Sequence, residues 1–367
     1  MYNIAKETKD DCYKKGVSLS NYDLQKQLTG CKRDFEWIGN VGVHSLQAVL
    51  DRLDNSYKNY FRNLKNGEIQ KGKAKYIAKK QKNGGIISEH RLRNFGKPKW
   101  AKKDEWVSIP FKSIKQTEKG FKLPKFGEVK VFNNKPIKGN LKTATLIKEA
   151  DGLYIKITVE EQETATNREN QSVCAVDMGI SYFYVSSDGE YVANPKHLFN
   201  HLKKLRIENR SLARKTKDSS SWKKQKSILC KTYQKVKRVR MDFLHKKSTL
   251  LSNKIVIRED LNVKEMSQDK KYAKHILDCA WGTFFNLLDY KTNIIKVEAA
   301  YSSQECSVCG NTCKENRKTQ SLFECTSCGY TENADYQAAL NLLKRGHSLL
   351  EANVSHKTMR FPRIPLL

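Results

Sequence analysis

The spacing of apolar residues changes along this chain, and each change marks a different kind of element. From Leu19 to Leu64 apolar positions recur every three or four residues, the period of a helix packed on one side. Ser20 is placed to cap a short helix carrying Tyr22, Leu24 and Leu28. A second helix puts Leu46, Val49, Leu50, Leu53, Tyr57, Tyr60 and Phe61 on one stripe, which reads as core. Lys65 to Lys103 is basic and punctuated by glycine, a solvated loop or a phosphate-contacting surface. Between Trp106 and Glu161 the period becomes two. Residues 106–111, 127–132, 141–147 and 153–159 are predicted strands, with Asp151-Gly152 turning the last hairpin, so a small antiparallel sheet or barrel is expected. The polar run 164–171 marks a boundary.

Past that boundary, strand and helix signals interleave. Val173 to Ile180 is an apolar strand interrupted by Asp177, and Tyr182 onward continues as a hairpin through Asp188-Gly189. Residues 197–252 are helical with a break at Ser219-Ser-Ser221. Lys254 onward is a strand, apolar on entry and acidic at Glu259. An amphipathic helix over 278–288 and a strand over 294–299 lead to a last helical stripe of Ala338, Ala339, Leu342 and Leu343, with Asp335 at its mouth.

Charge sharpens this picture. The 367 residues suffice for two or three domains, and a hydrophobic content of 38% favours a folded chain over a basic tail. The formal charge of +30 makes a polyanion the first partner to consider. A membrane is disfavoured, because no apolar run could span a bilayer and no lipidation signal occurs. The polar opening MYNIAKETKDD is no signal peptide, so a cytoplasmic protein, associated with the nucleoid, is expected. Within 197–252 the cations, among them Arg210, Arg214, Lys215, Lys223, Lys224, Arg238 and Arg240, are opposed only by Glu208, Asp218 and Asp242. A solvated face usually mixes signs, so this one reads as a nucleic-acid backbone contact.

Cysteine spacing adds a metal. Cys306-Ser-Val-Cys309-Gly and Cys325-Thr-Ser-Cys328-Gly are paired CxxC units that bring four thiolates onto one tetrahedral ion, and zinc suits them. Each following glycine permits the tight turn of a knuckle. Cys313 breaks the pattern and reads as a spectator. The remaining cysteines have no disulfide-like spacing, which suits a reducing interior.

Three acids complete the candidate chemistry. Asp177 inside a strand is expensive to desolvate, so it needs either a structural hydrogen bond or a cation. Asp335 alone would be read as a helix cap. Together Asp177, Glu259 and Asp335 could hold two Mg²⁺ or Mn²⁺ ions about 4 Å apart, the arrangement that hydrolyses phosphodiesters. Oxygen ligands select these ions and thiolates select zinc, so the two sites would not exchange metals.

The stretches around Asp177, Glu259, Trp281-Gly-Thr-Phe, Ser302 to Gly310 and Cys328 to Asn341 resemble the split RuvC motifs and zinc knuckle of TnpB (OrfB), the insertion-sequence nuclease, and those of the related miniature type V CRISPR effectors. The resemblance implies an α/β RNase H-like (RuvC) nuclease domain over 170–347 with a zinc-ribbon insertion at 302–330, and a tail over 348–367. More weakly, it implies a helical recognition region over 1–95 and a small antiparallel β wedge domain over 96–165. Family members begin with an extra strand and helix ahead of the part resembling Tyr2 to Gly16, so a shortened N-terminal region is expected. Lys97 to Lys103 is a divergent form of a family signature. The implied activity is an RNA-guided DNA endonuclease cutting both strands at one site with Asp177, Glu259 and Asp335. Its partners would be a guide RNA from the transposon end and target DNA bearing a short flanking motif. A nuclease-inactive RNA-guided repressor and a guide-free junction or hybrid nuclease are the alternatives.

Overall fold

The computed structural model describes residues 1–65, 76–80, 86–91, 98–101, 108–132, 137–161, 171–269, 271–298 and 300–358. They divide into two compact units, Met1–Thr164 and Ala165–Leu367. No described helix is long and apolar enough to cross a membrane.

The first unit opens with helices Tyr2–Lys14, Asn21–Asp34 and Val43–Lys65. Ser20 caps the second as expected: its hydroxyl accepts from the Asp23 N–H while the Asp23 carboxylate accepts from the Ser20 N–H, a reciprocal capping box. Leu46, Leu50, Leu53 and Tyr57 form the buried stripe, joined by Ala5, Leu24, Leu28 and Ile38, whereas Phe61 stays exposed. The first helix adds only Ala5 and the half-buried Tyr2 to this core. Polar contacts tie it to the third helix, Lys9 to Asp54 and the Tyr57 hydroxyl to Asp10, each at 2.6 Å, while Lys6 and Asp10 pair within it at 2.6 Å.

In the β part, Ser108–Lys112, Asn140–Glu149 and Gly152–Glu160 form one antiparallel sheet, and Lys115–Thr117, Gly120–Leu123 and Gly127–Lys130 another. Glu149 pairs with Gly152, so Ala150-Asp151 forms the hairpin tip, one residue earlier than the sequence predicts. Phe111, Phe121, Leu123 and Leu146 fill the core between these strands. Much of the expected basic stretch lies outside the described residues, including 66–75, as do residues 102–107 of the divergent segment and the first strand.

The second unit is built on a mixed five-stranded sheet. Its strands, labelled within this unit, are β1 (Ser172–Met178), β2 (Tyr182–Ser186), β3 (Tyr191–Ala193), β4 (Lys254–Glu259) and β5 (Ile294–Val297). The spatial order is β3-β2-β1-β4-β5. The first three strands form an antiparallel meander, and β4 and β5 add in parallel. Gly189, at φ +82°, makes the β2–β3 turn where Asp188-Gly189 predicted one. Helices α1 (His197–Ala213) and α2 (Ser220–Leu250) form the crossover between the meander and β4, and Ser219 caps α2 at the forecast break. Helix α3 (Trp281–Lys291) leads to β5, and α4 (Ala334–Thr358) follows the cysteine-rich segment.

Strand alternation divides the two faces. Cys174, Val176 and Met178 of β1 join Leu244 of α2 and Trp281, Phe284 and Leu288 of α3 in the larger core. Val173 and Ala175 point the other way, joining Ile257, Val297 and Leu342 of α4. Asp177 shares their parity. It is therefore delivered to the α4 side, where the other acids lie.

Candidate active site and metal centre

Pairing register brings two of the acids together. β1 and β4 run parallel with Val176 opposite Arg258, so one residue further along Glu259 stands beside Asp177. Asp335 arrives from the first turn of α4. It does not cap that helix. The Asn333 side chain does so, accepting from the N–H groups of Asp335 at 3.0 Å and Tyr336 at 3.2 Å, which leaves the Asp335 carboxylate available.

The electrostatics show the convergence. Burial, then Glu259, then Asp335 push the Asp177 carboxyl well above the usual carboxylate range, and Arg317 pulls it back. Burial raises Glu259, opposed by a hydrogen bond from Ser302 and the charge of Arg345. Burial also raises Asp335, again opposed by Arg317. Asp177 thus lies within electrostatic reach of both Glu259 and Asp335, and three raised acids so arranged favour protonation or a multivalent cation.

Sequence reasoning missed two supports of this site. Arg317 reaches in from the cysteine-rich ribbon, its Nη2 lying 3.4 Å from Asp335 Oδ1 while donating to the Gln320 carbonyl at 3.0 Å. Nothing in the polar run around it sets it apart. Ser302, inside a motif but with no assigned role, donates to Glu259 Oε1 at 2.7 Å, and both residues are buried. The α4 side chains then fix the approach to the ribbon. Asn341 donates to the carbonyls of Ser302 and Glu305, Gln337 also donates to the Glu305 carbonyl, and Arg345 binds the Glu305 carboxylate at 2.7 Å.

The ribbon carries the thiolate cluster. Ligand atoms of Cys306, Cys309, Cys325 and Cys328 lie within 4.8 Å of one another, the only such set of three or more among the described residues. The acids are thus spaced more widely than the thiols. Gly310 and Gly329, each directly after a CxxC pair, adopt φ +75° and +72°, the knuckle turn that glycine alone adopts without strain. The Cys328 N–H points at the Cys325 sulfur at 3.5 Å, and such backbone donors bring the Cys325 thiol down to about 6. Four sulfurs within ligand reach of one another fit zinc. Cys313 stands apart, donating to the Glu315 carboxylate.

The basic residues singled out in α1, α2 and the turn between them do not behave alike. Arg210, Arg214, Lys223, Lys224 and Arg238 are exposed. Lys215 donates to the Ser221 hydroxyl at 2.9 Å. Arg240 turns inward, pairing at 2.6 Å with the buried Asp278, which also accepts from the Leu198 N–H at the start of α1. Its guanidinium supports the fold at that point.

Comparison with known proteins agrees with the motifs. Residues 156–270 match the family model OrfB_IS605, described as a probable transposase, and residues 281–342 match the Cas12f1-like TNB domain. The chain is 30% identical over 337 residues to "Putative RNA-guided DNA endonuclease InsQ" of Escherichia coli (strain K12), covering 86% of this chain and 77% of that protein. It is 33% identical over 109 residues, 29% of this chain and 26% of the relative, to the TnpB-like protein MJ1635 of Methanocaldococcus jannaschii. A shorter match, 51% over 49 residues, covers 13% of this chain and 12% of the CRISPR-associated endodeoxyribonuclease Cas12f1 of Sulfoacidibacillus thermotolerans. A solved Cas12f1–sgRNA–target DNA complex aligns over 93% of this chain and 90% of that one at 16% identity, with a TM-score of 0.34, too loose to carry an argument. On the length and identity of the InsQ match, the chain belongs to the TnpB (OrfB) family, relatives of the miniature type V CRISPR effectors.

Proposed function

We propose that this protein is a transposon-associated, RNA-guided DNA endonuclease whose single hydrolytic site is formed by Asp177, Glu259 and Asp335. The observation that carries the reading is the meeting of three acids from β1, β4 and α4, each raised by burial and Asp177 also by the other two. The β3-β2-β1-β4-β5 order, with an antiparallel meander and two parallel additions, supports an RNase H-like domain over 170–347. Helical recognition and β wedge roles for 1–95 and 96–165 belong to the same proposal.

The three acids would hold two Mg²⁺ or Mn²⁺ ions, which would supply an activated water and stabilise the leaving oxygen. The chain's own contributions are distinct from that. Ser302 fixes the rotamer of Glu259, and Arg317 offsets negative charge beside Asp335. The exposed cations of α1 and α2 draw phosphate toward the unit. Sequence choice would be delegated to the guide RNA, with the protein reading a short motif in the flanking duplex.

The test is plasmid cleavage by protein co-expressed with the RNA encoded at its transposon end. Cutting that needs Mg²⁺ and the RNA, and that Asp177→Ala abolishes in a protein that still folds, is the expected result. A folded protein that never cuts a matched target, or cuts equally as Asp177→Ala, would overturn the reading. The repressor alternative predicts loss of acidic positions, and all three are present. Cutting of a defined junction by RNA-free protein would instead favour the guide-free alternative.

A further inference from the structure

Beside the acids lies a set of aromatic rings that the core does not use. Tyr182 of β2 and Tyr191 of β3 meet edge to face, centroids 5.3 Å apart, and Tyr191 lies 6.5 Å from Tyr336 of α4, its ring tilted by 35°. Tyr182 and Tyr191 are 38% and 40% exposed. Tyr182 and Tyr191 are thus each supported by a neighbouring ring yet open to solvent, while Tyr336 is half-buried beside them.

Register ties this strip to the acids. Val185 pairs with Asp177 on one side and with Tyr191 on the other, so Tyr191, Val185, Asp177 and Glu259 form one row across the sheet. Cross-strand neighbours share a face, so the row lies on the face covered by α4. Tyr336 directly follows Asp335 in sequence. β3 is the last strand of the sheet on that side, so the strip begins at the acids and runs out to an open edge. Burial raises the Tyr191 phenol, and the charge of Glu332, the phenols of Tyr336 and Tyr182 and, least, Asp335 add to it.

We propose that Tyr191 and Tyr336, backed by Tyr182, form a stacking platform for one or two bases of the single strand flanking the scissile phosphate. This rests on the nuclease reading and extends it to the substrate. A phosphate held at the acids leaves its neighbouring bases at the edge of the site. The faces of those bases are accessible only when the strand is unpaired. An aromatic face accepts any base, so the platform orients the strand without reading its sequence, as a guide-directed enzyme requires. A chain of charge +30 makes nucleic acid, and not an apolar peptide, the occupant that this strip would meet.

The experiment uses the full chain with its co-purified RNA, Ca²⁺ in place of Mg²⁺ to suppress cutting, and single-stranded DNA carrying 2-aminopurine, whose fluorescence falls on stacking. Quenching at positions next to the cut site is expected. The Tyr191→Leu/Tyr336→Leu protein should lose the quench and bind the strand about 5- to 150-fold more weakly per stacked base. Tyr191→Phe/Tyr336→Phe should keep both, since the ring and not the hydroxyl is used. If the double leucine protein does not fold, Tyr191→Leu alone, on the edge strand, carries the same test. Quenching unchanged by leucine, or absent from a wild-type protein that still cuts, would overturn the platform and leave the nuclease reading standing. A wild-type protein that quenches but never cuts would keep the platform and sink the nuclease reading. An RNA strand of the same sequence shows whether the sugar matters: equal quenching fits a pure stacking surface, and quenching by RNA alone would overturn the assignment to DNA.

Discussion

The Ser302 hydroxyl donates to Glu259 Oε1 at 2.7 Å, and the same serine's carbonyl accepts from Asn341 Nδ2 at 2.8 Å. One residue thus links an acid of the candidate metal site to α4, four positions before Cys306, the first cysteine of the thiol cluster. Partners of metal-binding carboxylates commonly set metal affinity 10- to 100-fold. Ser302→Ala should therefore raise the Mg²⁺ concentration needed for half-maximal cleavage by about that factor, with zinc content unchanged. An unaltered Mg²⁺ titration would mean that Glu259 is held by other contacts.

Arg317 opposes the upward shift of both Asp177 and Asp335. Removing a nearby cation disfavours the ionised carboxylates, which then keep their protons to higher pH. Arg317→Ala should move the acidic limb of the cleavage–pH profile toward alkaline pH, and Arg317→Lys should move it less. A profile measured under single-turnover conditions with saturating Mg²⁺ checks this; a limb that stays in place would show that Arg317 acts elsewhere.

The raised acids also govern stability without divalent ions. A carboxyl whose folded pKa lies above its unfolded value binds its proton more tightly when folded. That contribution is fully present below the unfolded pKa and is lost as pH rises through the folded one. In Mg²⁺-free buffer the melting temperature should fall as pH rises from the ordinary carboxylate range toward neutrality. Asp177→Asn should flatten that fall and melt higher than wild type at neutral pH, at the expense of activity. Scanning calorimetry across pH measures it, and a steeper decline in the variant would contradict the account.

Packing beneath Glu259 gives a prediction independent of charge. A Cβ on Gly346 of α4 would lie 2.1–2.8 Å from side-chain atoms of Ile257, which is fully buried in β4 two residues before Glu259. Gly346→Ala must displace the Ile257 side chain or shift the helix from the strand, at about 1–3 kcal/mol for an overpacked core. Denaturant melts should show that loss, and Gly346→Ala combined with Ile257→Val should recover part of it.

How much of this was legible in the sequence depends on the physical signal involved. Asp177 and Glu259 stand out because a charge in an apolar strand is costly, and the cysteines because their spacing is metal geometry. Asp335 was legible as an acid at a helix start, but its freedom from capping depends on Asn333 taking that role, which spacing does not reveal. The helix Tyr2–Lys14 buries only a short apolar patch at Tyr2 and Ala5, and its polar ties to Asp54 and Tyr57 are invisible to periodicity. Lys115–Thr117 and Gly120–Leu123 are too short to show a period. Arg240 looks like its basic neighbours, because the Asp278 that claims it lies 38 residues away along the chain. Arg317 is one cation in a polar loop, and only the folded ribbon brings it to the acids.

The central claim is that Asp177, Glu259 and Asp335 form a single shared site for divalent ions. Calorimetric titration of Mn²⁺ into the zinc-loaded protein, compared with Asp177→Asn, Glu259→Gln and Asp335→Asn, tests it most directly. A shared site predicts two Mn²⁺ per chain, with every single substitution weakening both and the effects of pairs falling well short of additive. Three independent, additive losses, or Mn²⁺ binding untouched by any of the three, would contradict it.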